Sequence, residues 1–218
     1  MAGACQMLAP PWVYAVAFSG SGSLGAGQLS QIQPVGGIPS LYATDMTIKV
    51  ARFLDVADGL QPGQFTVGSR DAVSSLAQLD PIYRQLLDEP VTATIAVAGA
   101  DGLPNLTPVW FDYEGDLVLL NLATHRKKVD WLRKDPHATF LLVNPANAYH
   151  WLSIRCTVAR EISEDDPDEG PRVTAQLDKI WTKYTGNAPP YGLRDPSIDE
   201  RRVLFELSVD RIATFGRP

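Results

Sequence analysis

Residues 91–122 read VTATIAVAGADGLPNLTPVWFDYEGDLVLLNL. Val91 to Ala98 is β-branched and small, which predicts a strand. Asp101-Gly102 supplies the residues of a hairpin turn. Leu103 to Tyr113 predicts a second strand, although it carries Pro104 and Pro108. Two prolines forbid a regular central ladder, so this strand is an edge, or it is bulged. Glu114-Gly115 makes the next turn, and Asp116 to Leu122 predicts a third strand.

Working outward, Asp80-Pro81 is a helix start, with Asp as cap and Pro in the first turn. Ile82, Leu86 and Leu87 form its apolar face, and Pro90 ends it. Downstream, Arg126 to Lys134 predicts a short basic helix with Val129 and Leu132 inward, stopped by Asp135-Pro136. His137 to Val143 and Tyr149 to Ile162 predict a fourth and a long fifth strand. Arg172 to Lys183 predicts a helix with Val173, Leu177, Ile180 and Trp181 on one side. Residues 185–199 are a proline-rich loop. Arg202 to Val209 is a last clear strand, followed by Ile212 to Phe215. Consecutive hairpins with few helices imply a mainly β protein: an antiparallel sheet whose six or seven strands close into a barrel flanked by helices.

Charge is distributed unevenly. The chain has 218 residues and a net charge of −6, yet residues 1–44 contain no Asp, Glu, Lys or Arg. All 44 charged side chains fall in the remaining 174 residues, the density of an ordinary globular domain. Residues 1–72 are therefore expected to be a disordered or mis-annotated extension, with the domain spanning 73–218. Val73 opens the first clearly globular segment, and a native start near Val73 is expected. Ile48 to Val56 is a short amphipathic piece within the extension. No basic segment precedes the apolar run Met7 to Phe18, as a secretory signal requires. No apolar stretch reaches the length of a spanning helix. The acidic balance argues against broad binding to nucleic acid or anionic membrane. Two cysteines, Cys5 and Cys156, fit a reducing compartment, hence the cytoplasm.

The usual catalytic signatures are missing. There is no glycine-rich phosphate loop or nucleophile elbow, and His125, His137 and His150 lack zinc-site spacing. Cys156 reads as a core residue. No side chain is assigned a catalytic role, and no metal site is expected. What stands out is Asn121-Leu-Ala-Thr-His-Arg-Lys-Lys128. A strand ends, Thr124 is placed to cap, and Arg126, Lys127 and Lys128 occupy the start of a helix. Cations there oppose the helix dipole by about 0.3–1 kcal/mol each. The placement makes sense if an anion binds, with backbone N–H groups and cationic side chains converging on one phosphate. The alternative is a solvated basic face. The second feature is Asn105-Leu-Thr-Pro-Val-Trp-Phe111. Pro108 removes one N–H from the ladder, and Trp110 offers a flat apolar wall for a ligand, or else a core aromatic at a hairpin edge.

At these two motifs the sequence resembles the FMN-binding split-barrel superfamily, that of pyridoxamine phosphate oxidase. More narrowly it is similar to the actinobacterial deazaflavin-dependent branch, the PPOX class of F420-dependent oxidoreductases. The run carrying the resemblance is Leu106 to Tyr113, Arg126 to Lys128, Leu132 to Pro136, Asn144 to Tyr149 and Arg201 to Phe205, within about residues 74–217. The resemblance implies a six-stranded antiparallel split β-barrel that forms a homodimer, with two cofactors in grooves between subunits. Arg126 and Lys128 match the family's Arg-x-Lys pair that holds the cofactor phosphate, with Lys127 between them. Thr107, Pro108, Val109 and Trp110 match the strand along the flavin or deazaflavin ring. Asn105 and Asn121 match polar positions near the ring and ribityl chain. Tyr149 and Trp151 fall where the other subunit approaches. Where relatives often have Arg-Gly in the fifth strand, this chain has Arg155-Cys156, which implies a local change in packing.

The implied activity is hydride transfer from reduced coenzyme F420 to an activated double bond or carbonyl of a small molecule. Two alternatives stay open: an FMN enzyme of the pyridoxamine phosphate oxidase type, and a non-catalytic deazaflavin-binding or carrier protein. The substrate pocket is expected to draw on loop 185–199 and on the second subunit.

Overall fold

A computed structural model describes residues 47–54, 58–62, 64 and 66–218. The uncharged N-terminal run, residues 1–44, lies outside the described residues. Nine strands and three α-helices follow in the order β1 (Ile48–Leu54), β2 (Thr66–Val73), α1 (Pro81–Asp88), β3 (Ala93–Ala98), β4 (Pro104–Val109), β5 (Asp112–Glu114), β6 (Leu117–Ala123), α2 (Lys127–Lys134), β7 (His137–Asn144), β8 (Asn147–Ser163), α3 (Gly170–Thr185) and β9 (Arg202–Phe215).

The architecture is a split barrel whose closure is covalent. Along the sheet, β4 pairs with β3, β3 with β7, β7 with β8, and β8 with β9, all antiparallel. The N-terminal half of β9 then pairs with β6, and β6 with β5. Strands β4 and β5 are successive pieces of one run, separated by Trp110 and Phe111. That run leaves one end of the sheet as β4 and re-enters at the other end as β5. The expected second strand is thus broken at Trp110, and its prolines sit in β4, which pairs only with β3 among the described residues. Counting residues 104–114 as one strand, the barrel has the six strands expected.

Sequence alternation sets which side chains point inward. Along β3, Ala93, Ile95 and Val97 are buried while Thr94, Ala96 and Ala98 are half-exposed. The long strands β8 and β9 bend where their register shifts, between Arg155 and Cys156 and again between Val158 and Arg160. Such extra residues increase local twist and let one strand serve two walls of a barrel. The core inside gathers Tyr83 and Leu86 of α1, Val129 and Leu132 of α2, and Phe111, Phe140 and Phe205 of the barrel. A smaller cluster of Leu119, Ile162, Val173 and Leu204 seats α3 on β6, β8 and β9. Cys156 is a buried free thiol of the main core, and burial pushes its pKa up. Asp80 caps α1 as expected, its carboxylate accepting from Ile82 N–H at 3.1 Å.

Two strands precede the boundary expected at residue 73. β1 and β2 form an antiparallel hairpin, and β1 runs parallel to the C-terminal half of β9, pairing Lys49 with Arg211 through to Phe53 with Phe215. The sheet is therefore mixed, and it extends beyond the expected antiparallel barrel. Ile48 is 1% exposed and belongs to the main core. The hairpin was obscured in the sequence because Lys49 and Arg52 interrupt the apolar positions and its partner strand lies at the other end of the chain. No helix among the described residues is long and apolar enough to cross a membrane.

Gly216 closes the C-terminal end of β9. Its φ is +71°, and a Cβ there would stand 1.8 Å from the carbonyl oxygen of Tyr149. Its own carbonyl accepts from the buried Tyr83 hydroxyl at 2.9 Å. Left-handed backbone costs a side chain about 1–3 kcal/mol before any clash is counted. Gly216→Ala is expected to lower stability by at least that amount in urea unfolding. Beginning the chain at Val73 uncovers the β9 edge; a lower melting temperature and faster aggregation than the full chain are expected, checked by calorimetry and light scattering.

Candidate functional site

Two elements frame the site, the edge strand β4 and the start of α2. On β4, Asn105, Thr107 and Val109 share the inward-leaning face, while Pro104, Leu106 and Pro108 face out. Helix α2 begins at Lys127 with Arg126 as its N-cap, and no side chain caps it. Thr124 does not fill that role. Its backbone N–H is tied to the carbonyl of Arg201 at 2.9 Å, which holds it two residues before the cap. The helix start is therefore without a side-chain cap and stands beside three cations.

Lys128 reaches from α2 to β4, and its ammonium donates to the Thr107 hydroxyl. Burial, then the neighbouring Arg126 guanidinium, lowers its pKa below the ordinary lysine range. Arg126 and Lys127 are exposed. None of the three has a carboxylate within ion-pair distance among the described residues. An anion placed here meets positive charge that the protein leaves uncompensated.

Beside this lies a cavity of about 350 Å³. Pro108, Val109, Trp110 and Asn121, four of the nine residues singled out in the sequence, line it. Thr107 and Lys128 touch each other, Asn105 lies further along β4, and Arg126 and Lys127 stand at the helix start. Trp110 is held by α3: its ring stacks on Tyr184 with centroids 5.0 Å apart and planes 11° from parallel. Tyr184 in turn donates to the carbonyl of Val91 at 3.0 Å, and burial pushes its pKa up to about 12. Next along the chain, the buried Asp112 carboxylate is paired with Lys179 at 2.6 Å and Lys183 at 3.6 Å. The corner of the barrel is thus bolted to α3 on both sides of Phe111.

Asn121 is 7% exposed. Its amide donates to the carbonyl of Val173 at 2.9 Å, while its side-chain oxygen has no partner. A buried acceptor without a donor carries a desolvation cost, so this oxygen is available to a ligand in the cavity. The remaining wall comes from Leu177 and Ile180 of α3, from Tyr191 and Leu193 of loop 185–199, and from Arg202. Loop 185–199 thus reaches this cavity. Arg202 was not anticipated. It is 8% exposed, pairs with the buried Glu200, and lies over the Tyr191 ring with its guanidinium carbon 4.9 Å from the centroid. The only sequence signal was an arginine directly before the apolar run Val203 to Phe205. Tyr149 is 73% exposed, whereas Trp151 packs between Phe53 and Phe215.

Residues 79–216 match the family model described as pyridoxamine 5'-phosphate oxidase. The chain belongs to this family. The match covers the barrel and α1 to α3 and leaves β1 and β2 outside. Among solved structures, an F420 reductase is 22% identical, covering 62% of this chain and 98% of that one, with a TM-score of 0.50. A conserved hypothetical protein of Mycobacterium tuberculosis is 22% identical over 60% of this chain and 80% of its own, TM-score 0.45. The heme storage protein of Vibrio cholerae is 12% identical over 62% and 92%, TM-score 0.44. At these identities the likeness to the F420 reductase establishes the fold alone, a split β-barrel. No curated protein matches the chain significantly.

The residues present fit a flavin-type cofactor: a cationic helix start for a phosphate, an edge strand, an aromatic wall and a buried unpaired acceptor. Because the folded state lowers the pKa of Lys128, charging it disfavours folding below the folded pKa, and that penalty disappears as pH rises past the unfolded value. Lys128→Met is expected to raise the melting temperature at neutral pH. In lysine-selective NMR, Lys128 titrates below the other lysines, and inorganic phosphate shifts its midpoint upward.

Proposed function

We propose that this protein is an oxidoreductase that uses reduced coenzyme F420 to transfer hydride to a small-molecule substrate, with the cofactor held at the interface of a cytoplasmic homodimer. The observation that carries the reading is Lys128 resting on Thr107 beside an uncapped helix start that leaves Arg126 and Lys127 without carboxylate partners. Family membership supports a flavin-type cofactor. The fold shared with an F420 reductase supports the deazaflavin choice, as do the further cations Arg133 and Lys134 on α2.

In this reading Arg126, Lys127 and Lys128 hold the cofactor phosphate, and the α2 N–H groups add to their field. Asn105, Thr107, Pro108, Val109 and Trp110 position the ring along β4. The Asn121 side-chain oxygen accepts a hydrogen bond from a donor in the cavity. Bound, the deazaflavin supplies a hydride donor or acceptor carbon, and the protein supplies positioning and electrostatics. Leu177, Ile180 and Leu193 exclude water from the cavity. The exposed Tyr149 ring is assigned to the approaching subunit.

Fluorescence-quenching titrations with coenzyme F420 and with FMN test the reading. Tight F420 binding is expected, weakened in Lys128→Ala by about 1.5–3 kcal/mol, the loss of a charge-assisted bond. The affinity is expected to fall as pH rises through the Lys128 pKa, and Lys128→Arg is expected to retain it at higher pH. Tight FMN binding without F420 binding would assign the FMN chemistry instead. Hydride transfer from the reduced deazaflavin to a panel of enones and quinones separates an enzyme from a carrier.

A further inference from the structure

Of the 19 Lys and Arg side chains, 11 stand within 4.0 Å of a carboxylate. Among the described residues the other eight fall in two places only. Four are on or next to α2: Arg126, Lys127, Lys128 and Lys134. The other four, Lys49, Arg70, Arg155 and Arg211, lie together on the outer face of the sheet, on strands β1, β2, β8 and β9.

Their arrangement follows from the register. Arg155 of β8 stands directly opposite Arg211 of β9, and Arg211 directly opposite Lys49 of β1. Arg70 of β2 is opposite Ala51, so it stands diagonally from Lys49 on the same face. Neighbouring strands are about 4.8 Å apart, which puts three positive charges in a row roughly 10 Å long. Like charges directly opposite each other across a ladder destabilise it. Nothing in the fold requires cations here, since all four positions face outward and are exposed. A cavity of about 450 Å³ runs over Lys49, Arg155, Arg211, His137 and Thr139. A second, of about 470 Å³, continues over Lys49, Arg70 and Arg211, so the two share a basic floor. Asp210 lines the first cavity and Asp71 the second, but neither forms an ion pair with these cations; the Asp210 carboxylate accepts from the Thr157 hydroxyl at 2.8 Å.

We propose that this cross-strand row is a binding site for a small molecule bearing two or more negative charges, phosphate or carboxylate. Its length favours an extended oligoanion over a single phosphate, with each cation meeting a separate charge. The site lies on the opposite face of the sheet from Thr107 and Lys128, and does not depend on the identity of the flavin-type cofactor. Two of its four cations, Lys49 and Arg70, belong to the hairpin outside the family match at 79–216.

Isothermal titration calorimetry of the full chain at low salt tests it, with tripolyphosphate as the phosphate probe and citrate as the carboxylate probe. An Arg126→Gln/Lys127→Gln/Lys128→Ala triple variant serves as the background, so that anion binding by the three cations at α2 does not contribute. Binding of either probe is expected there, at least tenfold weaker in the Arg155→Gln/Arg211→Gln double variant and retained in Arg211→Lys. The stronger of the two probes identifies the anion class. An unchanged isotherm in the double variant, or no binding of either probe, overturns the proposal. So does a double variant that alters sedimentation mass without altering probe affinity, which would assign the row to contact with a second copy.

Discussion

The structure depends on one run of chain pairing at two ends of a sheet. Residues 104–109 complete the ladder beside β3, and residues 112–114 complete the ladder beside β6. The two residues between them must turn the corner. Phe111 does so by burying its ring wholly in the core, while Trp110 points to the cavity and stacks on α3. The prolines of β4 are tolerated because its outer edge pairs with no strand among the described residues. Each piece of the candidate site inherits its position from this closure: Thr107 meets Lys128, Pro108 and Trp110 wall the cavity, and Asp112 draws Lys179 and Lys183 of α3 onto the corner.

Much of this was legible from local patterns. The alternation of residues 93–98, the turn residues Asp101-Gly102 and Glu114-Gly115, and the prolines at 104 and 108 together specified hairpins with an edge strand. The cations at 126–128 were legible as a candidate site because they contradict the helix dipole, a conflict visible without coordinates. Interactions between distant segments were not legible. The parallel pairing of β1 with β9 joins the two ends of the described chain, and the charged residues in β1 mask its inward positions. Arg202 reads as a surface cation until Glu200 and Tyr191 are seen to enclose it. Thr124 has the composition of a cap, but its backbone is committed to Arg201, which no local spacing reveals.

The distribution of charge gives the molecule a second level of organisation. The chain is acidic overall, and most of its cations are neutralised by neighbours. Those that remain are concentrated at the start of α2 and across β8, β9 and β1. A net negative surface repels anions at long range, so an anion bound at either place would be held by short-range contact with these cations. Lys128 shows the cost of that arrangement, since the burial that makes it an effective partner also lowers its pKa.

Strand β9 touches β6 and β1 along one edge and β8 along the other. Among the described elements it is also the last to leave the ribosome. Until it emerges, β1, β6 and β8 have open edges and the barrel has no closing wall. Pairings of such large sequence separation slow folding, because a long loop must be closed before any contact compensates for it. The nascent chain therefore holds several unpaired strands through most of its synthesis, the condition under which β-rich proteins are most exposed to aggregation and to chaperones.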